Sequence, residues 1–283
     1  MRETKNGNTI IVEYNSIQEF VDYCMSTPVN NSFRNKIRAS EEVSNERTRF
    51  SGTKSLEEAL DLMRNGWSEG SEKLSHIFKE KVKANEIGKV RRNVIGMQGY
   101  QPIVPLYLAN QPESMVSSVL KPMKQKIVTL DKDISYSCHF RSYEIMENSA
   151  KALKIIHSFE SSGYRCNLNV ILGTQAYTRD VGFKKYFVKV RVKSANERFN
   201  ISKMTFPLAH TSMLRRLYLK WLEVYPDVPS GFTGGYGSPS TIDELKTIFK
   251  DDYILPRIID SDLEKVKKVE DLYNKSSSKS SRW

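Results

Sequence analysis

Cysteine is scarce in this sequence. The three present in 283 residues, Cys24, Cys138 and Cys166, stand too far apart for a disulfide framework or a paired zinc motif, so a stapled secreted domain is excluded and a reducing compartment is expected. Long apolar runs are missing too. No stretch approaches the roughly 20 apolar residues that cross a bilayer, and Met1 to Asn8 lack the apolar core of a signal peptide, so the expectation is an intracellular chain that does not engage a membrane. Histidine is also sparse: His139, His157 and His210 could gather with Cys138 and Cys166 around zinc, but none shows an i, i+3 or i, i+4 ligand pair. No serine sits in a nucleophile elbow. The glycine-aromatic run 231–239 has neither the lysine nor the strand-to-helix setting of a phosphate-binding loop. With no catalytic constellation, an enzyme is not expected.

What the chain does have is positive charge and enough apolar content for a core. Lys and Arg number 44 against 33 Asp and Glu, a formal +11 spread along the sequence, and 39% of residues are hydrophobic. Such a field favours polyanions, of which nucleic acid is the commonest.

The organising stretch is 126–193. Val128, Leu130, Ile134, Tyr136 and Cys138 alternate as in a strand, interrupted by Lys132. Ile145, Ser149, Ala152, Leu153, Ile156 and Phe159 then recur at helical spacing, with Gly163 as a stop. Two more strands follow, over 166–172 and 186–192. Strand, helix and strand in immediate succession suit a parallel crossover. The predicted fold class is therefore α/β, a mixed sheet flanked by helices, with a helical hairpin as an N-terminal extension.

Four segments are expected. Residues 1–50 hold a short strand (9–14), a helix opened by Ser16 and Glu19, and a polar segment with Arg34, Lys36, Arg38, Arg47 and Arg49 that reads as flexible or ordered by a partner. Residues 51–125 begin with a hairpin of two helices. Ser55 and Glu58 start the first, Leu56, Ala59, Leu60 and Met63 form its buried stripe, and Asn65-Gly66 ends it. Trp67 at the corner reads as packing over the turn, with base stacking the competing use. From Val90 to Lys126 glycines and prolines predict an extended segment without regular structure beyond a short helical turn near 105–115. Residues 126–260 are the α/β core with flanking helices. A single amphipathic helix is predicted over 204–226, its stripe Met213, Leu214, Leu217, Tyr218, Trp221 and Leu222 inward and Arg215, Arg216 and Lys220 on the other face. Thr241 and Ser261 open two further helices. Residues 261–283 complete the chain with a helix and a basic, serine-rich, disordered tail.

Two candidate sites emerge. Alternation along 183–193 places Lys185, Phe187, Lys189, Arg191 and Lys193 on one face and Tyr186, Val188, Val190 and Val192 on the other. Cations with interleaved aromatics suit single-stranded nucleic acid, so Lys185, Lys189, Arg191 and Lys193, with Arg215 and Arg216 as neighbours, are the nominated contacts. A solvated edge strand protected by lysines is the alternative. The second site is Asp133-Ile-Ser-Tyr-Ser137, which resembles the D-x-S-x-S pattern by which von Willebrand factor A domains hold a divalent ion. Asp133, Ser135 and Ser137 offer the hard oxygens that Mg²⁺ takes. The competing reading leaves them on the outward face of a strand, with no cofactor.

The order Phe50-x-Gly-Thr-x-Ser-x-x-Glu-Ala, Gly66-Trp67-x-x-Gly70, Pro105-x-Tyr-Leu-Ala-x-x-Pro-x-x-Met115 and Leu208-Ala-His-x-x-Met-Leu-Arg-Arg216 resembles a family of uncharacterised proteins carried by bacteriophages and related mobile elements. The resemblance covers roughly residues 10 to 225, and the family's core is loosely similar to the von Willebrand A fold, which implies a Rossmann-like mixed sheet. It implies a viral protein acting in the cytoplasm of an infected host cell and carries no site residue. In that context the expected function is an accessory factor that binds nucleic acid, single-stranded DNA favoured, and assists or recruits a polymerase or other replication or transcription machinery. A virion structural or connector protein and a host-directed inhibitor are the competing classes.

Overall fold

The computed structural model describes residues 1–31, 33–34, 38–45, 50–79, 89–122, 127–161, 164–178, 182–228, 236–250 and 253–259. β1 (Arg2–Asn6) and β2 (Thr9–Tyr14) form an antiparallel hairpin, with Gly7 at φ +56° in the turn, a conformation that strains any side chain. α1 (Ile17–Ser26) starts at Ser16, whose Oγ accepts the Glu19 N–H at 3.1 Å. The Glu19 carboxylate reaches back to the Asn15 N–H at 2.7 Å, and the helix buries Phe20, Val21 and Cys24. α2 (Leu56–Asn65) opens the same way on Ser55 and closes at Gly66, φ +89°. α3 (Ser68–Lys79) completes the expected hairpin, which packs on the helices of the core.

The segment after it departs from the expectation of little regular structure. β3 (Lys89–Gly96) pairs antiparallel with β5 (Met115–Pro122) along its whole length, β4 (Gln101–Pro102) adds to the end of β5, and α4 (Val104–Leu108) lies between. The breakers sit where a ribbon tolerates them. Gly96 and Pro122 end strands, Pro102 occupies a two-residue edge, Pro105 is in the first turn of α4, and Gly99 lies so close to Val116 that a Cβ would stand 2.1 Å from its carbonyl oxygen.

β6 (Ile127–Asp133) pairs in parallel with β7 (Arg165–Thr178), and α5 (Ser142–Ser161) makes the crossover. β8 (Gly182–Lys193) returns antiparallel to β7. α6 (Ile201–Ala209) starts on Asn200. After His210 comes a π-helix, Met213–Tyr218, and then α7 (Leu219–Val224), in place of one continuous helix over 204–226. β9 (Ser238–Pro239), α8 (Ile242–Ile248), opened by a full capping box of Thr241 and Glu244, and β10 (Tyr253–Leu255) complete the described elements.

Seven strands make one mixed sheet, in the order β1-β2-β8-β7-β6-β10 with β9 on the second half of β7. Residues 1–14 are thus part of the same sheet as 127–193, β2 lying parallel to β8. One face carries Val12, Leu130, Val170, Leu172, Val188 and Val190 beneath α1, α5, α6, the π-helix and α7. The other face is smaller. There α8 covers Ile171 and Phe187 with Leu245 and Phe249. The protein is a mixed α/β fold with helices on both sides of its sheet.

Candidate nucleic-acid interface

The alternation of β8 is real, but the face bearing its cations looks into the layer under α8. Lys185 Nζ donates to Glu244 Oε1 at 2.6 Å. Lys189, with 12% of its side chain exposed, lies 2.8 Å from the buried Asp131 Oδ2 and 5.2 Å above the Phe249 ring, and Asp131 Oδ1 accepts from Asn169 Nδ2 at 2.6 Å. Near Leu168 and Asn169 the register shifts, so that Leu168 faces Lys193 while Asn169 faces Arg191. This bulge turns Lys193 onto the core side with Leu168. There it is 3% exposed, ion-paired to Glu160 and donating to the Cys166 carbonyl at 3.1 Å. Arg191 is exposed.

Arg215 and Arg216 are buried, which corrects their placement on an outer face. The helix that carries them runs through the core, so its polar side meets backbone and not water. Arg215 donates to the carbonyls of Phe50 at 2.7 Å, Ser137 at 3.0 Å and Phe140 at 3.1 Å, and its guanidinium lies 4.8 Å from the Phe50 ring. Arg216 reaches the carbonyls of Ala39, Ser40 and Glu42 with one nitrogen and Ser51 Oγ and the Thr53 and Lys54 carbonyls with the other. Glu223, its pKa raised by burial, accepts from the Ser40 backbone and hydroxyl and from the Tyr236 hydroxyl. Residues 38–45, part of the stretch read as flexible, are therefore fastened to the π-helix and α7, together with 50–54 that lead into α2. Lys36, Arg47 and Arg49, like the run 229–235, the helix opened by Ser261 and the tail, lie outside the described residues.

Of the D-x-S-x-S residues Asp133 and Ser135 are buried, Ser137 is half-buried, and all three are engaged. Asp133 Oδ1 accepts the Ser135 N–H at 2.8 Å, Oδ2 lies 3.2 Å from Arg257 Nε, and Ser135 Oγ accepts the Gly173 N–H at 2.7 Å. Ser137 Oγ instead lies 3.1 Å from His139 Nδ1. The Arg257 guanidinium thus neutralises the Asp133 carboxylate, and each of the three side chains nominated for a metal has a partner within the protein. Beside them Lys132, the residue that breaks the apolar alternation, donates to the Pro256 and Arg257 carbonyls, and burial lowers its pKa to about 7. Among the described residues no three His, Cys, Asp or Glu side chains are placed to hold a metal ion.

Large exposed apolar side chains concentrate on the ribbon. Ile95, Met97, Tyr100, Val104, Tyr107 and Leu108 all stand in solvent at the end where Gly96 pairs with Met115, while the strands enter at the other end through Lys89 and Pro122. Lys89, Arg91, Arg92 and Lys121 occupy strand positions in that entering half. On the body of the protein, Trp67 lies edge-on to His210 at 4.5 Å, and Gly70 leaves it room, since a Cβ there would stand 2.2 Å from the indole. The tryptophan packs its corner. It also lines a cleft of about 870 Å³ between α3, the start of α5 and the turn after α6.

A model of the family DUF7192, a domain of unknown function, matches residues 2–277. The chain belongs to the DUF7192 family. No curated protein and no solved structure matches it. In this DUF7192 chain the ribbon escaped sequence reading because its strands are separated by breakers, and the signal that would have found it is the pair of runs 89–96 and 115–122, each free of internal glycine and proline. The cleft left no linear signal, because its lining comes from residues as far apart along the chain as Gly52 and Thr211.

Proposed function

We propose that this DUF7192 protein binds nucleic acid, single strands in preference to duplex, through the ribbon of residues 89–122 and not through β8. The observation that carries the reading is the exposure of Tyr100 and Tyr107, 63% and 65%, with Met97, Val104 and Leu108 beside them, at the end of strands into which four cations are built. An aromatic face stacks on any base, for about 1–3 kcal/mol per base, and cations along the approach neutralise phosphates. The excess of Lys and Arg over the chain supports a polyanionic partner.

The setting rests on the motif resemblance. Likeness to bacteriophage proteins, with a β6-α5-β7 unit loosely like the Rossmann-type von Willebrand A core, supports an accessory factor in the cytoplasm of an infected cell that assists a polymerase or other replication or transcription machinery.

The test titrates a labelled single-stranded oligonucleotide between about 50 and 200 mM salt, with a duplex control. Tyr100→Ala with Tyr107→Ala should lower affinity at least about thirtyfold, since two lost stacks at the lower bound of about 1 kcal/mol each sum to about 2 kcal/mol. Replacing Lys89, Arg91, Arg92 and Lys121 by Gln should remove up to about three units from the slope of log K against log salt. A wild type that fails to bind, or two folded variants that bind as it does, refutes the reading. Presence in purified particles would instead indicate a connector, and co-purification with a host enzyme an inhibitor.

A further inference from the structure

The cleft between α3 and α5 differs in chemistry from the rest of this basic protein. At about 870 Å³ it falls within the size range of small-molecule sites. Its floor is apolar and braced: His210 stacks on Phe206 at 5.0 Å and meets Trp67 edge-on, with Met146 beside them. Its walls are acidic. The one lysine of the lining, Lys73, is engaged by Glu69 at 2.7 Å, leaving Glu72 on α3 and Glu147 on α5 across the opening. Glu72 has no ion-pair partner among the described residues, and Glu147 has only Lys151, at 3.8 Å. Both carboxylates are exposed, as is Tyr143 at the mouth.

We propose that this cleft binds an organic cation, an ammonium or guanidinium carried on an apolar stem, with the stem on Trp67 and Met146 and the charge between Glu72 and Glu147. Charge complementarity selects the class, because Glu72 without an ion-pair partner among the described residues and Glu147 with only the long contact to Lys151 repel anions, in a protein of net charge +11, and attract a cation that an apolar floor can also hold. The ring faces add an attraction of their own, effective within about 6 Å of an indole or phenol centroid. Neutral apolar ligands gain the floor but not the walls. Free polyamines and the Lys or Arg side chain of a peptide share this chemistry, and the inference is independent of nucleic-acid binding by the ribbon.

The experiment titrates the full chain with spermidine, with the peptide acetyl-Leu-Arg-Leu-amide and with its Gln counterpart, following calorimetry and tryptophan emission. At least one cationic probe should bind with Kd below about 1 mM, and the Gln peptide at least tenfold more weakly. The double variant Glu72→Gln and Glu147→Gln should lose at least tenfold in affinity for that probe while keeping the wild-type melting temperature. Met146→Ala, which removes apolar surface from the floor without changing its charge, should also weaken binding of that probe. Spermidine binding without peptide binding identifies a free polyamine, and the reverse identifies a side chain of a partner. The inference is overturned if neither cationic probe binds, if the Gln peptide binds equally well, or if the double variant binds as the wild type does.

Discussion

Replacing Arg216 by alanine should unfasten two segments of the chain at once. The residue is 1% exposed, and its two terminal nitrogens divide their donors between 39–42 and 51–54. A hydrogen bond from a charged donor contributes about 1.5–3 kcal/mol net, and removing one side of a buried charged network costs roughly 3–5 kcal/mol because the acceptors are stranded. For a protein of this size that corresponds to a fall in melting temperature of about 6–20 °C. Arg216→Met keeps the apolar stem and fills the space, so any loss it shares with Arg216→Ala belongs to the donors and not to a cavity. Arg216→Lys keeps the charge, but one ammonium cannot reach both segments, so its loss should fall between. Urea unfolding gives the magnitudes, and amide exchange over 38–54 shows where protection is lost. If the alanine and methionine variants stay within about 0.5 kcal/mol of wild type, as the exposed control Arg191→Ala should, the fastening role is wrong.

Three further outcomes follow from the buried charges. Lys132 has a native pKa near 7 against 10.5 for a free side chain, so between those values the unfolded chain holds a proton the native state has released. Stability should therefore rise with pH above about 7, and Lys132→Met should flatten that rise; an unchanged slope in urea midpoints from about pH 7 to 9.5 would contradict it. Glu223 is displaced the other way. Burial raises its pKa, so its contribution is present below the ordinary 4.5 and is lost as pH climbs through the raised value; Glu223→Gln should abolish that decline, and a decline that persists refutes the assignment. Because Arg257 already neutralises the Asp133 carboxylate, millimolar Mg²⁺ should leave the melting temperature unchanged, and a rise that Asp133→Ala removes would support the metal reading instead.

Periodicity carried much of the fold. The helical stripe of α5 and the alternation of β2, β7 and β8 are local patterns set by burial of one face, and the caps at Ser16, Ser55 and Thr241 are local chemistry, so each is legible in the order of residues alone. What failed was inference from polarity to solvent. Arg215, Arg216 and Lys220 interrupt an apolar helix and look like its wet side, but a helix surrounded by protein satisfies its charges on its neighbours, the arginines mainly on backbone carbonyls and Lys220 on Glu41, which one-dimensional spacing does not reveal. Lys193 failed differently, because one extra residue in the bulge inverted its face, and pairing between strands decides that. The ribbon and the cleft depend on contacts distant in sequence.

The bond from Trp221 Nε1 to Tyr14 Oη at 2.8 Å joins residues 207 positions apart, and β2 has its parallel neighbour only in β8. During synthesis at about 5–20 residues per second, the first strands therefore wait roughly 10–40 s for the partners that complete them. For that interval the apolar side of β2, with Ile10, Val12 and Tyr14, is exposed, and so is the edge it will later cover. A nascent chain of this kind is vulnerable to sticking to its neighbours on the same message until residue 224 emerges. Slowing translation before that point should lengthen the exposure and lower soluble yield, whereas slowing it afterwards should not.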